Sequence, residues 1–185
     1  LTPDNYFIGH ESGKSITSGL YNSFYGYQTG VSDTSGGYNI FMGYQSGYNN
    51  ITGNNNVFLG FKSGFNNIGN YTIGASTYLG GANNVFIGNS TGLSNTIGIA
   101  NVFLGHEAGR NNRDGNYNVF LGYLTGKSNT EGGSNVYIGN SAGIVDTSGQ
   151  DNVYIGNYAA KNAIASSTYN NIRNVVIGSQ AGYNI

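Results

Sequence analysis

Two histidine–glutamate pairs are the residues of this chain whose types suggest chemistry. His106 stands beside Glu107 in the stretch NVFLGHEAG, residues 101–109, and His10 stands beside Glu11. An imidazole next to a carboxylate can bind a metal ion or work as an acid/base pair. Whether either pair does so depends on the elements that position it.

Both pairs occupy the same place in a repeated sequence word. Ten copies fill the chain, most of them at a regular interval of 17, with one longer interval of 28 and one of 22. The copies start at Asn5, Asn22, Asn39, Asn56, Asn84, Asn101, Asn118, Asn135, Asn152 and Asn174. Self-similarity at a short fixed period is typical of a solenoid, in which each repeat forms one coil of a stack. We number the columns of the repeat from zero at each asparagine, so both histidines lie in column five.

The repeat argues against a chemical role for these pairs. The other eight copies carry Tyr, Phe, Asn or Ser in column five, so the position is tolerant. The two histidines lie several coils apart at about 4.8 Å per coil, too far to share one metal ion within a chain. No nucleophile elbow, zinc-protease pair or phosphate-binding loop appears. We expect no catalytic residues, no metal ion and no cofactor, and we expect that the protein is not an enzyme.

Composition narrows the partners. The formal net charge is −1 and 8% of the residues are charged, so no basic surface is available to neutralise phosphates and nucleic acid is excluded as a partner. Cysteine is absent, which excludes disulfides and thiolate metal sites. No apolar run reaches the length of about 18 residues that a membrane span needs. No polar capping repeat is visible at either end, and we expect residues 1–185 to be a segment of a longer fibre.

Glycine recurs at three columns of the repeat. Column four is Gly in all ten copies, column eight in nine, and column fourteen in seven. Glycine at a fixed position indicates a positive φ or a close backbone approach, so these columns predict the corners of each coil. Column seven is always small, which suits a crowded corner, and column zero is always Asn, which predicts a ladder of stacked amides.

Columns one to three predict the strand of each coil, since they are rich in β-branched and aromatic residues. Alternation puts columns one and three on one face and column two on the other, and both faces are apolar. One face can fill the coil, and we expect the other, the aromatic ridge of column two, to be covered by identical chains related by closed cyclic symmetry. This predicted interface or core column holds Phe7, Phe24, Phe41, Phe58, Phe86, Phe103, Phe120, Tyr137 and Tyr154.

The remaining columns of the repeat predict which part of each coil faces solvent, and the two long intervals mark where the array is irregular. The second half of the repeat is polar and variable, which indicates a return leg facing solvent. The array is irregular at residues 65–83, where Tyr71 to Gly74 and Tyr78 to Gly81 resemble a short extra coil, and at residues 161–173, where five residues are inserted. If exposed, rings in column five could stack on sugars, and the alternative is corner packing between coils or chains. The candidate rings are Tyr27, Tyr44, Phe61 and Tyr123, with His10 and His106 in the same column.

The wording of the repeat also carries a resemblance. Residues 84–92, NVFIGNSTG, and 135–143, NVYIGNSAG, resemble the repeats of bacteriophage-type tail fibres and bacterial surface fibres. They are also similar to the repeats of trimeric autotransporter adhesin heads, although the period here is longer and column two is aromatic rather than small. The resemblance covers nearly the whole chain. It implies parallel trimers of β-rolls, left-handed in the adhesin heads, that attach to cells or surfaces.

Together these observations predict an all-β protein: a parallel β-solenoid of left-handed 17-residue coils assembled as a homotrimer. We expect a non-enzymatic fibre or adhesin segment, extracellular on a cell surface or virion, with a glycan or protein receptor as a further partner. The alternatives are a purely structural shaft without a receptor of its own and an ice-binding solenoid. An ice-binding solenoid requires a regular threonine ladder.

Overall fold

The computed structural model describes residues 4–73, 76–78, 80–163 and 171–184. The chain forms twelve strands of three residues each. They are β1 Tyr6–Ile8, β2 Ser23–Tyr25, β3 Ile40–Met42, β4 Val57–Leu59, β5 Tyr71–Ile73, β6 Ser76–Tyr78, β7 Val85–Ile87, β8 Val102–Leu104, β9 Val119–Leu121, β10 Val136–Ile138, β11 Val153–Ile155 and β12 Val175–Ile177. Ten of them, all except β5 and β6, form one parallel sheet in the order of the chain. The predicted parallel β-solenoid is therefore confirmed.

The register of the sheet places like columns opposite each other. Val102 pairs with Val119, Phe103 with Phe120 and Leu104 with Leu121 where β8 meets β9, and the other junctions repeat this pattern. Backbone hydrogen bonds join neighbouring coils outside the strands as well, as from Gly109 N to Thr125 O (3.0 Å) and from Tyr117 N to Ile99 O (3.0 Å). Each coil therefore rests on the next around much of its circumference, as an array of interdependent repeats requires.

The core of each coil is a stack of aromatic rings from column two. The rings of Phe24, Phe41, Phe58, Phe86, Phe103, Phe120, Tyr137 and Tyr154 are 0% exposed. Successive rings stack with centroids 4.6–5.0 Å apart. Column two is therefore a core column of a single chain, as one of the two alternatives predicted, and the expectation that its rings form an outward ridge covered by other chains is wrong. The outward strand face is instead formed by the aliphatic residues of columns one and three.

Glycine makes room for this ring stack and for the contact between coils. Gly109 in column eight has φ +56°, and a Cβ placed there would lie 2.4 Å from the Phe103 ring. Gly105 in column four has φ +134°, and its Cβ would lie 2.2 Å from the carbonyl oxygen of Gly122 in the next coil. The predicted corner glycines are thus required for both reasons, backbone conformation and close approach.

Two further columns adopt a positive φ without glycine. Column six does so in all ten coils, as at Glu107 (φ 53°), and the residue directly before the column-zero asparagine, which is column sixteen of a regular coil, does so in nine, as at Tyr117 (φ 59°). The left-handed conformation costs a non-glycine residue roughly 1–2 kcal/mol, which the ladder contacts of each coil must offset. These corners carry no glycine signal and were not predicted from the sequence.

The long interval does not contain an extra coil. Its strands β5 and β6 pair antiparallel with each other in a separate two-stranded sheet, with Tyr71 opposite Tyr78. This hairpin leaves the stack after Gly69, and the chain returns at Gly81, whose carbonyl accepts hydrogen bonds from Asn56 and Asn67 in the column-fourteen position. The coil above is undisturbed, since β4 pairs directly with β7. The predicted insertion at 163–168 lies almost entirely outside the described residues.

Candidate functional site

The two histidine–glutamate pairs lie on the surface of the coil and are engaged in structural contacts. His10 stacks on Tyr27 (ring centroids 5.3 Å apart) and His106 on Tyr123 (5.2 Å). Glu11 forms an ion pair with Lys14 at 2.7 Å. The described residues contain no group of three or more His, Cys, Asp or Glu side chains that could hold a metal ion.

Both glutamates are held in the ionised form. The hydrogen bond from Lys14 lowers the pKa of Glu11, and the hydrogen bond from Lys127 lowers the pKa of Glu107. A carboxyl group with a lowered pKa is almost entirely ionised near neutral pH, so it holds no proton to donate, and its carboxylate is a weaker base than an ordinary one. The geometry at these pairs therefore favours surface ion pairing over acid/base chemistry.

The column-five rings form an exposed ladder along one edge of the coil. His10, Tyr27, Tyr44 and Phe61 stack in succession, with centroid separations of 5.2–5.3 Å. Tyr123 stacks on His106 in a second, shorter run. The four candidate sugar-stacking rings are 43–52% exposed.

Stacking covers both faces of Tyr27 and Tyr44 and one face each of Phe61 and Tyr123. Tyr27 and Tyr44 lie within 6° of parallel, as do Tyr44 and Phe61 within 8°, so no sugar ring fits between them. What the ladder offers outward is a row of ring edges and phenolic hydroxyls. The structure brings Tyr27, Tyr44 and Phe61 together in one ladder and places Tyr123 in the other.

The outward strand face is a long strip that is aliphatic apart from Tyr6 in β1 and Ser23 and Tyr25 in β2. In β8 the burial alternates, with Phe103 buried between Val102 (37% exposed) and Leu104 (46% exposed). The most exposed members of the strip lie at its two ends, at Ile8 in β1 and at Val175 and Ile177 in β12. Beside the strip, column sixteen contributes the stacked tyrosines Tyr21 and Tyr38, with ring centroids 4.8 Å apart.

A groove runs along the return leg, between columns ten and twelve. Its volume is about 540 Å³, and it is lined by Ser32, Asn49, Ile51, Asn66, Ile68, Ser94, Thr96, Asn111, Arg113 and Thr130. Thr96 and Thr130 each donate a hydroxyl hydrogen bond to the column-twelve carbonyl of the next coil. Ile51, Ile68 and Arg113 interrupt the column-twelve threonines, so the groove is not the regular threonine ladder of the ice-binding alternative.

The interior carries polar ladders that only partly match the predicted amide ladder. In column zero, the Oδ1 of Asn101 accepts from the backbone N–H of Asn118 (2.9 Å), and its Nδ2 donates to Gly115 O (2.8 Å). Each of these side chains therefore bonds a backbone carbonyl of its own coil and a backbone N–H of the next coil. Direct hydrogen bonds between two asparagine side chains occur at some junctions only, as from Asn135 to Asn118.

Column eleven forms a second interior ladder of hydrogen-bonded side chains, which was not predicted from the sequence. Its members are Asp33, Asn50, Asn67, Asn95 and Asn112, each amide donating to the residue of the preceding coil at 2.7–2.8 Å. All are 0% exposed, so the expectation that the whole second half of the repeat faces solvent is wrong at this column. The recurrence of Asn in column eleven was the available signal, as in column zero.

Two buried aspartates occupy column eleven, Asp33 at the start of this ladder and Asp146 beyond its last hydrogen bond. Burial raises the pKa of Asp33 to about 7. Burial also raises the pKa of Asp146, which accepts a 2.6 Å hydrogen bond from the hydroxyl of Tyr137 and another from Asn171. Both carboxyl groups point into the coil and are fully enclosed, so they serve the interior of the stack rather than a substrate site.

Comparison with protein-family models, with curated proteins and with solved structures finds no match to this chain. Among the described residues no helix is long and apolar enough to cross a membrane. The resemblance to fibre and adhesin repeats stays a prediction, and the function is inferred from the geometry of a ten-stranded parallel β-solenoid with an aliphatic outer strip.

Proposed function

We propose that this chain is a non-enzymatic segment of an extracellular fibre that attaches to a cell or surface, assembled as a parallel homotrimer of left-handed coils. The single observation that supports it is the aliphatic strip of columns one and three, which runs the length of the ten-stranded sheet. Ten strands at about 4.8 Å make this strip over 40 Å long, and large exposed apolar patches of proteins are often interaction sites.

Identical chains are the partners that fit such a strip best. The strip repeats its chemistry from coil to coil, because like columns pair throughout the sheet. A second copy aligned in parallel presents Val, Leu and Ile at the same intervals, so each coil meets an equivalent coil. Closed cyclic symmetry would bury the same strip on every chain. A rod built in this way has no need of a catalytic centre, which agrees with a surface whose acids are paired with lysines.

Oligomeric mass tests the assembly. We expect native mass spectrometry of the purified chain to give a trimer, and Leu104→Lys with Leu121→Lys in the strip to dissociate it. Thr130→Lys, on the opposite leg of the coil, is the matched control and should leave the trimer intact. A wild-type chain that stays monomeric at high concentration, or a trimer insensitive to lysine in the strip, contradicts the proposal.

A purely structural shaft is the second candidate. It is favoured by the column-five ladder, because both ring faces of Tyr27 and of Tyr44 are covered by neighbouring rings. Binding to a glycan array and to whole cells separates the two functions. Attachment predicts binding by the trimer that Tyr27→Ala, Tyr44→Ala or groove substitutions weaken, whereas a shaft binds neither. Thermal hysteresis measured on the same samples tests the ice-binding alternative.

A further inference from the structure

Tyrosines at the amino-terminal end of the stack lie in pairs on adjacent coils. Tyr21 and Tyr38 stack in column sixteen with ring centroids 4.8 Å apart, and Tyr27 and Tyr44 stack in column five at 5.2 Å. All four rings are exposed, Tyr21 by 51% and Tyr38 by 62%. The solenoid register fixes these pairs, since each partner occupies the same column of the next repeat.

We propose that these two pairs are sites of oxidative tyrosine crosslinking, which joins neighbouring coils of one chain by a covalent bond. A one-electron oxidant, such as a peroxidase with hydrogen peroxide, removes one electron and one proton from each phenol. The two phenoxyl radicals couple through the ring carbons ortho to the hydroxyls, forming one carbon–carbon bond. Each coupled carbon then releases its proton to water as its phenolic oxygen takes one up, which restores both aromatic rings. Each crosslink therefore removes two hydrogen atoms, and the oxidant is reduced by two electrons.

Register and exposure together select these two pairs. Exposed side chains change rotamer quickly, so the stacked rings can tilt until their ortho carbons meet. Coupling within a pair is also favoured over coupling between molecules, because the fixed register holds the two radicals beside each other at a high effective concentration.

The interior supplies a matched pair that should not react. Tyr137 and Tyr154 stack at 4.6 Å, closer than either outer pair, but both rings are 0% exposed. Their hydroxyls donate to Asp146 and Asn171, and burial raises the pKa of both tyrosines. An oxidant in solution cannot reach these rings, and the enclosed stack prevents them from tilting. Among the described residues these three are the pairs in which tyrosine stacks on tyrosine.

Oxidation followed by peptide mapping tests the proposal. The folded chain is treated with peroxidase and hydrogen peroxide, then cleaved after lysine and before aspartate. Cleavage at Lys14, Asp33 and Lys62 separates residues 15–32 from 33–62, and the first fragment holds Tyr21 and Tyr27 while the second holds Tyr38 and Tyr44. We expect the two fragments to remain joined, with a mass lower by two hydrogens per crosslink. Fragments 128–145 and 151–161, which carry the buried pair, should separate.

Phenylalanine variants locate the bonds without disturbing the stack. In Tyr38→Phe only the Tyr27–Tyr44 crosslink should form, and in Tyr44→Phe only the Tyr21–Tyr38 crosslink should form. In the double variant neither crosslink should form, so the two fragments should separate. Tyr25 and Tyr48 remain in the double variant as controls, since the ring of Tyr48 stacks on Phe65 and Tyr25 stacks on no other tyrosine. Oxidation in denaturant should abolish the preference for these pairs. Separation of the two fragments after tyrosine is consumed, a join that survives the double variant, or crosslinks solely between molecules would overturn the proposal.

Discussion

Column two and column five both stack aromatic rings at the spacing of the coils, one inside the coil and one outside. Phe86, Phe103 and Phe120 stack with centroids 4.8 Å apart and are fully buried. Tyr27 and Tyr44 stack at 5.2 Å with more than two fifths of each ring exposed. The inner stack runs without a gap through coils one to nine, whereas Asn89 interrupts the outer one between Phe61 and His106.

The difference shows where the stability of the solenoid resides. An interior position is in contact with the coils above and below and with its own corner glycines, so a change there disturbs three coils. An exterior position touches its ladder neighbours and water, and the sheet register is unaffected when the ladder is interrupted, as β4 and β7 show. Four comparisons test this division, one within a single glycine column and three between inner and outer positions.

The largest effect is expected where coils touch through glycine. Gly105→Ala places a Cβ 2.2 Å from the Gly122 carbonyl oxygen, which no side-chain movement relieves. We expect a loss of about 4–5 kcal/mol or more in the free energy of unfolding, measured by urea denaturation. Gly178→Ala is the matched control in the same column: φ is +128°, but the nearest atom, Ala181 Cβ, is 3.6 Å away. Equal losses at the two sites would show that backbone conformation, not contact between coils, makes this glycine necessary.

Truncation of one ring from each stack gives the next effect. Phe103→Ala opens a cavity within the inner stack and should cost about 3–5 kcal/mol. Tyr123→Ala removes an exposed ring and should cost less than about 1 kcal/mol. Urea midpoints and far-ultraviolet circular dichroism measure both variants. Similar losses would mean that the outer ladder supports the fold as much as the core does.

The period of the repeat accounts for how much of this fold was predictable. The recurrence of Asn, Gly and a short apolar run in the same columns of every repeat predicted the parallel solenoid and its register of like columns. It did not reveal which face of the strand is inside, because Val102 and Leu104 are as apolar as Phe103. The space left by Gly109 six residues after Phe103 decides it, since the ring occupies the place of the absent Cβ.

The sequence pattern marks residues 70–80 as irregular but predicts the wrong structure for them, a short extra coil. The length of this stretch is close to that of a short coil, and its apolar segments resemble the strand segment of the repeat. Its two strands instead pair antiparallel with each other in a separate sheet. The residue types of column five were enough to predict a row of candidate rings. That neighbouring rings cover each other's faces depends on the spacing of the coils, which only the three-dimensional structure gives.

Buried and exposed acids should respond to pH in opposite directions. Because the pKa of Asp33 is raised to about 7 in the folded chain, its contribution is present at pH 4 and is lost as the pH rises towards 7. Asp33→Asn keeps an acceptor for Asn50 and should remove this loss, adding about 2–4 kcal/mol at pH 8 relative to pH 4. Urea unfolding of wild type and variant across this range measures it.

The exposed counterpart is Glu107, which pairs with Lys127 at 2.8 Å. Its pKa is lowered, so its contribution is present at neutral pH and is lost as the pH falls. Glu107→Gln should flatten the acid side of the stability profile slightly and leave the range from pH 6 to 8 unchanged. An Asp33→Asn variant with the wild-type pH profile would show that this buried carboxyl is not the group that titrates.

The smallest comparison concerns two threonine hydroxyls with the same kind of acceptor. Thr91 donates to Gly105 O at 2.6 Å from a fully buried side chain, whereas Thr130 donates to Thr147 O at 3.0 Å at the solvent boundary. Valine has nearly the same shape, so Thr91→Val removes a buried hydrogen bond and should cost about 1–2 kcal/mol. Thr130→Val should cost less than about 0.5 kcal/mol, because water replaces the lost donor. Thermal midpoints measured together resolve the two variants, and a larger loss at Thr130 would place the stabilising contacts on the return leg of the coil rather than in its interior.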